Sequence, residues 1–430
     1  MSKGMDMKAG QVPRKAIVIG AGIIGVCSAN ALLDKGFEVD VFDPALPGSP
    51  DQCSYGNAGG ICPGSCLPNA MPGMLRNVPQ WLLDPEGPLF IRLAHLPHAL
   101  PWLIRFVLAG RKSRVEEISA AMHALHQFSY EAYEPLMTEA GCSDLLQKRG
   151  QLFVFEHENG PEGSAYGLGL RRDHGVKVEI LNANEIQDLE PALSDRFKSA
   201  IYLADQGQCQ NPGRLVEKLA ELAVRKGARF HREPVRGFLF EGGKVSGVAV
   251  PSGEYHAERI VLAAGAWSAE LARQLGDRLP FETERGYHVM LPEADTGLRI
   301  QTISADRKFV ASPMEAGLRL AGTVEFAGLK APPNLKRADI LVRQAQGMFK
   351  RFEQSTVTRW MGHRPGTPDS IPVIDTARRH PGVIYAFGHG HQGLIGGAVT
   401  GQLVADIATG AAPRIDLKPF RLGRFGLLGL

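Results

Sequence analysis

Six residues near the N-terminus, Gly20-Ala21-Gly22-Ile23-Ile24-Gly25, space their glycines as G-x-G-x-x-G. The chemistry this spacing serves is phosphate binding. Gly20 permits a tight turn, Gly22 lets a pyrophosphate approach the backbone, and Gly25 lets a helix lie close on a strand. The helix N-terminus at Ile23 and Ile24 then faces the phosphates with partial positive charge. Asp43, eighteen positions after Gly25, is placed to accept hydrogen bonds from ribose hydroxyls. A glycine triplet alone is weak evidence, but strand, turn, helix and acid in this order point to a bound dinucleotide.

Three further clusters carry chemistry. In His363-Arg364-Pro365-Gly366-Thr367-Pro368-Asp369-Ser370, a Pro-flanked loop holds the Arg364 guanidinium ready for bidentate pairing with a substrate carboxylate, which Arg suits and Lys does not. The competing role is a structural ion pair on a turn. Arg285-Gly286-Tyr287-His288 enters a strand, where alternation sends Tyr287 and His288 to opposite faces. Tyr287 is the one expected to close the pocket or bond the carboxylate, against simple packing. Gly388-His389-Gly390-His391-Gln392-Gly393 runs into a helix from about Leu394, whose free amides suit developing negative charge. No metal is expected: His389 and His391 lack a third ligand, and Cys62 with Cys66 lacks a second pair.

The elements that must position these groups follow from the hydrophobic pattern. Lys15–Gly20 reads as a strand, Ile23–Lys35 as a helix and Glu38–Phe42 as a second buried strand, one βαβ opening. Residues 57–101 are rich in Gly and Pro and read as loops and short helices, and Arg114–Ala140 has helical periodicity. Gln151–Phe155 reads as a strand, Asn211–Lys226 as a helix, and Val235–Val250 as a hairpin turning at Gly242-Gly243. Arg259–Ala264 is a buried strand returning to the nucleotide-binding sheet. Strands at 287–291, 308–312 and 317–321 and a helix over 336–352 form a second domain. Val383–Ala386 and a helix ending near Thr409 close the chain.

The late return to the first sheet and the motif's place at the extreme N-terminus favour FAD over NAD. Ala263-Ala264-Gly265-Ala266-Trp267-Ser268, Ser54-Tyr55-Gly56-Asn57-Ala58-Gly59 and the C-terminal Gly388–Gly393 turn resemble the D-amino acid oxidase/dehydrogenase family of FAD enzymes. The similarity runs from Lys15 to about Phe425 and is greatest to bacterial D-amino acid dehydrogenases, including those acting on D-hydroxyproline. The resemblance implies an α/β fold: a Rossmann-like FAD-binding domain (14–80, 205–280, 355–430) and a mostly antiparallel α+β substrate domain (81–204, 281–354). It implies that Ser54, Asn57, Ala58 and Gly59 border pyrophosphate or flavin, that Val235 holds adenine by backbone bonds, and that Ala264-Gly265 passes beside the cofactor. Ordinary turn chemistry for Ser54 and Asn57, and plain core packing for Val235, are the alternatives. Gly390, Gln392, Gly393 and Leu394 would stabilise the reduced flavin's charge. His391 takes a place held by arginine in related glycine-oxidising enzymes. Arg364 is implied again as the carboxylate anchor.

The implied reaction is oxidation of a small D-amino acid, proline and hydroxyproline included, to an imino acid, with electrons passing to an acceptor such as quinone. A glycine- or sarcosine-type oxidase releasing peroxide, and a flavin subunit needing other chains, are the rivals. With no cysteine after Cys209, the FAD is expected to be non-covalent.

A chain of 430 residues, 44% hydrophobic and 22% charged, fits a soluble two-domain protein, and a net charge of +3 excludes a dedicated nucleic-acid binder. The polar residues 1–14 lack the apolar core of a secretory signal. The six cysteines without zinc spacing suit a reducing cytoplasm. Between Trp81 and Arg114, Trp81, Phe90, Trp102 and Phe106 alternate with Arg92, Arg105, Arg111, Lys112 and Arg114. This stretch suits the inner face of an anionic bilayer, unless its aromatics pack inward. The tail 420–430 has a similar mix.

Overall fold

A computed structural model describes residues 14–353 and 356–426. The first strand, Arg14–Ile19, is fully buried from Ala16 onward. It lies between two parallel partners, Phe37–Phe42 and Arg259–Leu262, with Ala16 opposite both Val39 and Arg259. Arg229–His231 and Val383–Phe387 widen this parallel sheet, and Val373–Thr376 ends it antiparallel. Strands sandwiched on both faces need apolar residues at successive positions, which is how these runs are composed. Ala16 and Val18 pack against Ala29, Leu32 and Val404 of the helices Ile23–Asp34 and Gly393–Thr409. Ile17 and Ile19 face the other way, onto Phe238, Val248 and Val250 of a three-stranded meander. That meander turns at Gly242 and Gly243, whose φ of 56° and 77° suit a two-residue hairpin turn.

The second layer is a nine-stranded sheet running Thr358–Gly366, Glu282–Leu291, Gly317–Phe326, Phe309–Met314, Gln301–Ser304, Gln151–Phe155, Ser199–Leu203, Glu179–Asn182. Leu89–Ile91 pairs with Gly317–Phe326 in parallel, as Gln151–Phe155 does with Gln301–Ser304; the other pairings are antiparallel. The mixed α/β architecture with a mostly antiparallel second sheet is the expected one.

Several local expectations change. The helical stretch Arg114–Ala140 is two helices, Lys112–His126 and Ser129–Ala140, and at the break the Ser129 hydroxyl lies within hydrogen-bond distance of the carbonyls of His126 and Ile395, its one proton shared between them. The helix beginning at Lys336 stops at Ala345, ahead of Gly347 at φ 74°, and turns Met348 and Phe349 into the core instead of continuing to 352. The boundaries also shift. Residues 358–366 belong to the second sheet, not the dinucleotide domain. Helices 112–126 and 129–140 bury Leu125 and Tyr133 against Ile23, Leu215 and Val399, so their cores pack on the dinucleotide domain, while His123 also stacks on His174 of the 81–204 segment. Residues 354, 355 and 427–430 of the expected domains, and residues 1–13 of the polar N-terminal stretch, lie outside the described residues.

Candidate active site

The glycine turn is dictated by close approach. Gly20 sits at φ 106°, and a Cβ there would collide with the Ala263 carbonyl, while a Cβ on Gly25 would enter the Gly20 carbonyl. Gly22 is the N-cap of the first helix, and the Ile23 amide donates to Ser54 Oγ at 3.0 Å. Asp43 Oδ2 accepts from the Ala21 amide at 2.7 Å and from Gln52 Nε2 at 3.2 Å, and Oδ1 accepts from the Ala45 amide at 2.8 Å. Burial raises the Asp43 carboxyl above its usual value against these three donors. A carboxylate oxygen accepts about two hydrogen bonds, so Oδ1 retains a lone pair.

These groups line a cavity of about 660 Å³, within the range of about 300–1,000 Å³ typical of cofactor sites. Of the residues singled out, Gly20, Gly22, Ile23, Ile24, Asp43, Ser54, Asn57, Val235, Ala264, Gly265, Gly390, Gly393 and Leu394 are in its wall. Val235 makes no backbone hydrogen bond among the described residues, so its amide and carbonyl remain available. Four others stand elsewhere. Gly25 is buried under the turn. Gly59, at φ 89°, passes against the Cys209 carbonyl. Ala58 and Gln392 line a second cavity instead, and the Ala58 carbonyl accepts from Gln301 Nε2 at 2.6 Å and Ser312 Oγ at 2.8 Å.

The second cavity, of about 700 Å³, shares Cys53, Asn57 and Gly390 with the first, so the two meet at that wall. The junction is tied together: Asn57 Nδ2 donates to the His391 carbonyl at 3.1 Å, and the Gly390 amide donates to Pro365 O at 2.8 Å. The last helix begins at Gly393, and the amides of Gly393 and Leu394 make no hydrogen bond among the described residues, so they face the first cavity with their donors free.

Arg364 lines the second cavity from a β-strand, not from a loop as expected, and lies opposite Glu284 in register. Two glycines make this pairing fit: a Cβ on Gly286 would overlap the Arg364 guanidinium, and one on Gly366 would overlap Glu284 Oε1. Among the described residues Arg364 makes one hydrogen bond, from Nη1 to Thr323 O at 3.1 Å, leaving most of its five donors for a ligand. Burial lowers its pKa. Burial pushes Glu284 up to about 7 against the pull of Arg364, with Glu282 adding to the push.

His391 is exposed to the same cavity, where the protein crowded around it and the Arg364 charge push its imidazole down to about 4. It is neutral at pH 7. His389 turns away: it is buried, with Nε2 3.0 Å from Thr400 Oγ1. Tyr287 touches the cavity wall, but its hydroxyl donates to Glu325 and accepts from the Asn334 amide at 3.0 Å. The phenol is therefore committed to the core behind the sheet and not to a substrate carboxylate. The opposite face carries Glu284, Gly286 and His288, and His288 stacks on Trp360 with ring centroids 4.8 Å apart. Glu284 and Trp360 had no sequence signal of their own. Gly286 and His288 stood beside Tyr287 in the motif, and the alternation that separates them was legible.

Residues 15–407 match the family description "FAD dependent oxidoreductase" (DAO). A protein named D-amino-acid oxidase from Bradyrhizobium diazoefficiens is 42% identical over 417 residues, covering 96% of this chain and 99% of its own. One named D-amino acid dehydrogenase from Paramagnetospirillum magneticum is 32% identical over 422 residues, covering 96% and 99%. The fold is shared with L-proline dehydrogenase from P. horikoshii, at a TM-score of 0.73 and 19% identity over 96% of this chain and 98% of that one. It is also shared with glycine oxidase from Geobacillus kaustophilus, at 0.71 and 22% over 96% and 99%. The free amides, close-packed glycines and the first cavity of about 660 Å³ fit the cofactor that the family description names. The chain belongs to the DAO family of FAD dependent oxidoreductases, and FAD is its cofactor.

Proposed function

We propose that this enzyme oxidises the C–N bond of a D-amino acid to the imino acid, in the cavity that holds Arg364. The observation that carries this reading is the junction of two cavities at Cys53, Asn57 and Gly390, one fit for FAD and the other presenting an under-used guanidinium. Bound FAD, held without a covalent link, supplies a two-electron acceptor for the hydride of the substrate Cα. Val235 holds its adenine end through backbone groups, Asp43 the ribose, and Gly22, Ile23 and Ile24 the pyrophosphate. Ser54 serves this end by fixing the Ile23 amide. Arg364 binds the substrate carboxylate and fixes the Cα, and orientation of that kind is a large share of such catalysis. The neutral His391 adds no positive charge that would compete for the carboxylate. The free amides at Gly393 and Leu394 favour negative charge at the cofactor, and Gly390 and Gln392, whose amides bond to Pro365 O and His389 O, shape the turn that presents them. The D configuration is supported by the names of the two relatives above.

Glu284 sets a pH dependence. Below about 7 it is neutral; above, its charge faces the same space as the substrate carboxylate. Affinity for a non-reactive carboxylate is expected to fall about tenfold as pH rises through 7, and Glu284→Gln is expected to flatten that fall. The stability effect has a definite sign. The unfolded chain ionises this carboxyl at its ordinary value, while the fold holds the proton up to about 7. Stability is thus lost over that interval and the deficit is complete above it, so Glu284→Gln raises the Tm above pH 7 and has least effect on it below pH 4. An unchanged pH profile of carboxylate binding in the variant removes Glu284 from this role.

We assign the enzyme to the dehydrogenases, passing electrons to an acceptor such as quinone. Leu83, Leu93 and Ile104 are exposed beside the exposed cations Arg92, Arg111 and Lys112, a surface suited to an anionic bilayer. Trp102 instead packs inward and donates from Nε1 to Gly366 O at 3.1 Å. No helix among the described residues is long and apolar enough to cross a membrane. The test is anaerobic bleaching of the purified holoenzyme across D- and L-amino acids, proline and hydroxyproline included, followed by air. Bleaching by D-isomers with slow recovery and little peroxide is expected. Fast recovery with stoichiometric peroxide makes it an oxidase, and no bleaching by any amino acid overturns the reading.

A further inference from the structure

The wall of the substrate cavity carries a second guanidinium. Arg171, from the helix Ala165–Asp173, lines the cavity and lies 5.2 Å from the centroid of the Phe153 ring. Its Nε is buried with no hydrogen-bond partner, and no hydrogen bond or ion pair to its side chain is present among the described residues. The ionisable groups whose charge would act on it are Cys66 and Cys62. Burial pushes the Cys62 thiol up to about 12 and also raises Cys66, so neither supplies a counter-charge at neutral pH. Lys308 stands in the same wall, and the acid that lines it, Glu284, pairs in register with Arg364.

A desolvated guanidinium without an acid is costly to keep, and an anion that enters the cavity removes that cost. An amino acid with a single carboxylate satisfies Arg364 and leaves Arg171 as it was. The cavity of about 700 Å³ is also larger than a small side chain fills. We infer that Arg171 is a specificity residue that binds a second anion, so that the substrate is an amino acid whose side chain ends in a carboxylate, with Lys308 adding positive charge to that wall. This inference rests on the proposed amino acid oxidation for its substrate, but not for its anion site.

Binding therefore comes first. Calorimetry on the FAD-loaded enzyme is expected to show glutarate bound about 30-fold more tightly than butyrate, the gain from a charge-assisted pair, and Arg171→Met is expected to abolish the difference. Equal affinities in the unaltered enzyme, or no binding of either acid, overturn the anion site without reference to any variant's folding. Turnover comes second. D-glutamate is expected to exceed D-glutamine in kcat/KM by a similar factor, with Arg171→Met bringing the ratio near one while turnover of D-glutamine persists. A preference for D-glutamine overturns the specificity. If glutarate binds selectively yet no D-amino acid bleaches the flavin, the proposed reaction has failed and the anion site stands.

Discussion

Arg364→Ala is expected to lower kcat/KM for the amino acid substrate by about 1,000-fold or more while the protein stays yellow. A charge-assisted bidentate pair is worth several kcal/mol, and each loss of about 1.4 kcal/mol is tenfold. The carboxylate contact also orients the Cα, so kcat falls together with the rise in KM. FAD is retained because Arg364 lines the second cavity and is absent from the wall of the first. The fold is expected to tolerate the change. Arg364 pulls the Glu284 pKa down, so its removal lets that carboxyl rise further and keep its proton, leaving no unpaired charge in the sheet at pH 7. Arg364 also helps to hold His391 down, so the variant's imidazole titrates at higher pH. Lysine at this position is expected to recover little, because a point charge does not reproduce the planar fork. Unchanged steady-state constants with the same substrates would remove the carboxylate role from Arg364.

How the sequence carried this site differs from residue to residue. The constraint on Gly25 is local, because the carbonyl it meets is that of Gly20 in the same strand, turn and helix, and spacing alone displayed it; at Gly20 only the turn is local, while the Ala263 carbonyl it approaches belongs to a strand distant in the chain. Arg364 was legible by type, since its motif offered a guanidinium between prolines, but its element was not. The chain there forms a strand because Glu282–Leu291 pairs with it, a partner distant in sequence. Glu284 was illegible for the same reason. Its significance comes from standing opposite Arg364 in that register and from the burial that follows, neither of which the local sequence encodes. Alternation correctly separated Tyr287 from His288, but which face looks toward the cofactor depends on how the second sheet docks on the first. That docking is written in contacts such as the hydrogen bonds of Gln301 and Ser312 to Ala58, between segments far apart in the chain. Arg171 had no motif at all. It becomes notable only because its side chain finds no hydrogen-bond or ionic partner among the described residues.

The second large effect belongs to Gly25, where a single methyl group is expected to cost most of the bound FAD. A Cβ at this position would enter the Gly20 carbonyl oxygen, with Val18 Cγ1 close behind at 3.5 Å. The Val18 contact is an ordinary one, but the Gly20 carbonyl belongs to the turn itself, and a backbone oxygen does not swing aside as the end of a long side chain does. Gly25→Ala must therefore lift the helix Ile23–Asp34 from the strand. Overpacking of this kind costs about 1–3 kcal/mol in stability. The larger consequence is positional, because the amides of the turn lose their alignment with the cofactor phosphates. The flavin absorbance per chain after purification is expected to fall to a small fraction, and the FAD dissociation constant to rise about 100-fold or more. A matched control separates the clash from the loss of glycine as such. Gly169 lies within the helix Ala165–Asp173 and a Cβ there meets nothing within 4 Å, so Gly169→Ala is expected to stabilise the protein by about 0.5–1 kcal/mol with FAD content unchanged. Full FAD content in Gly25→Ala would mean that the helix can move without disturbing the phosphate site, and the close packing of glycine against carbonyl would then serve the fold alone.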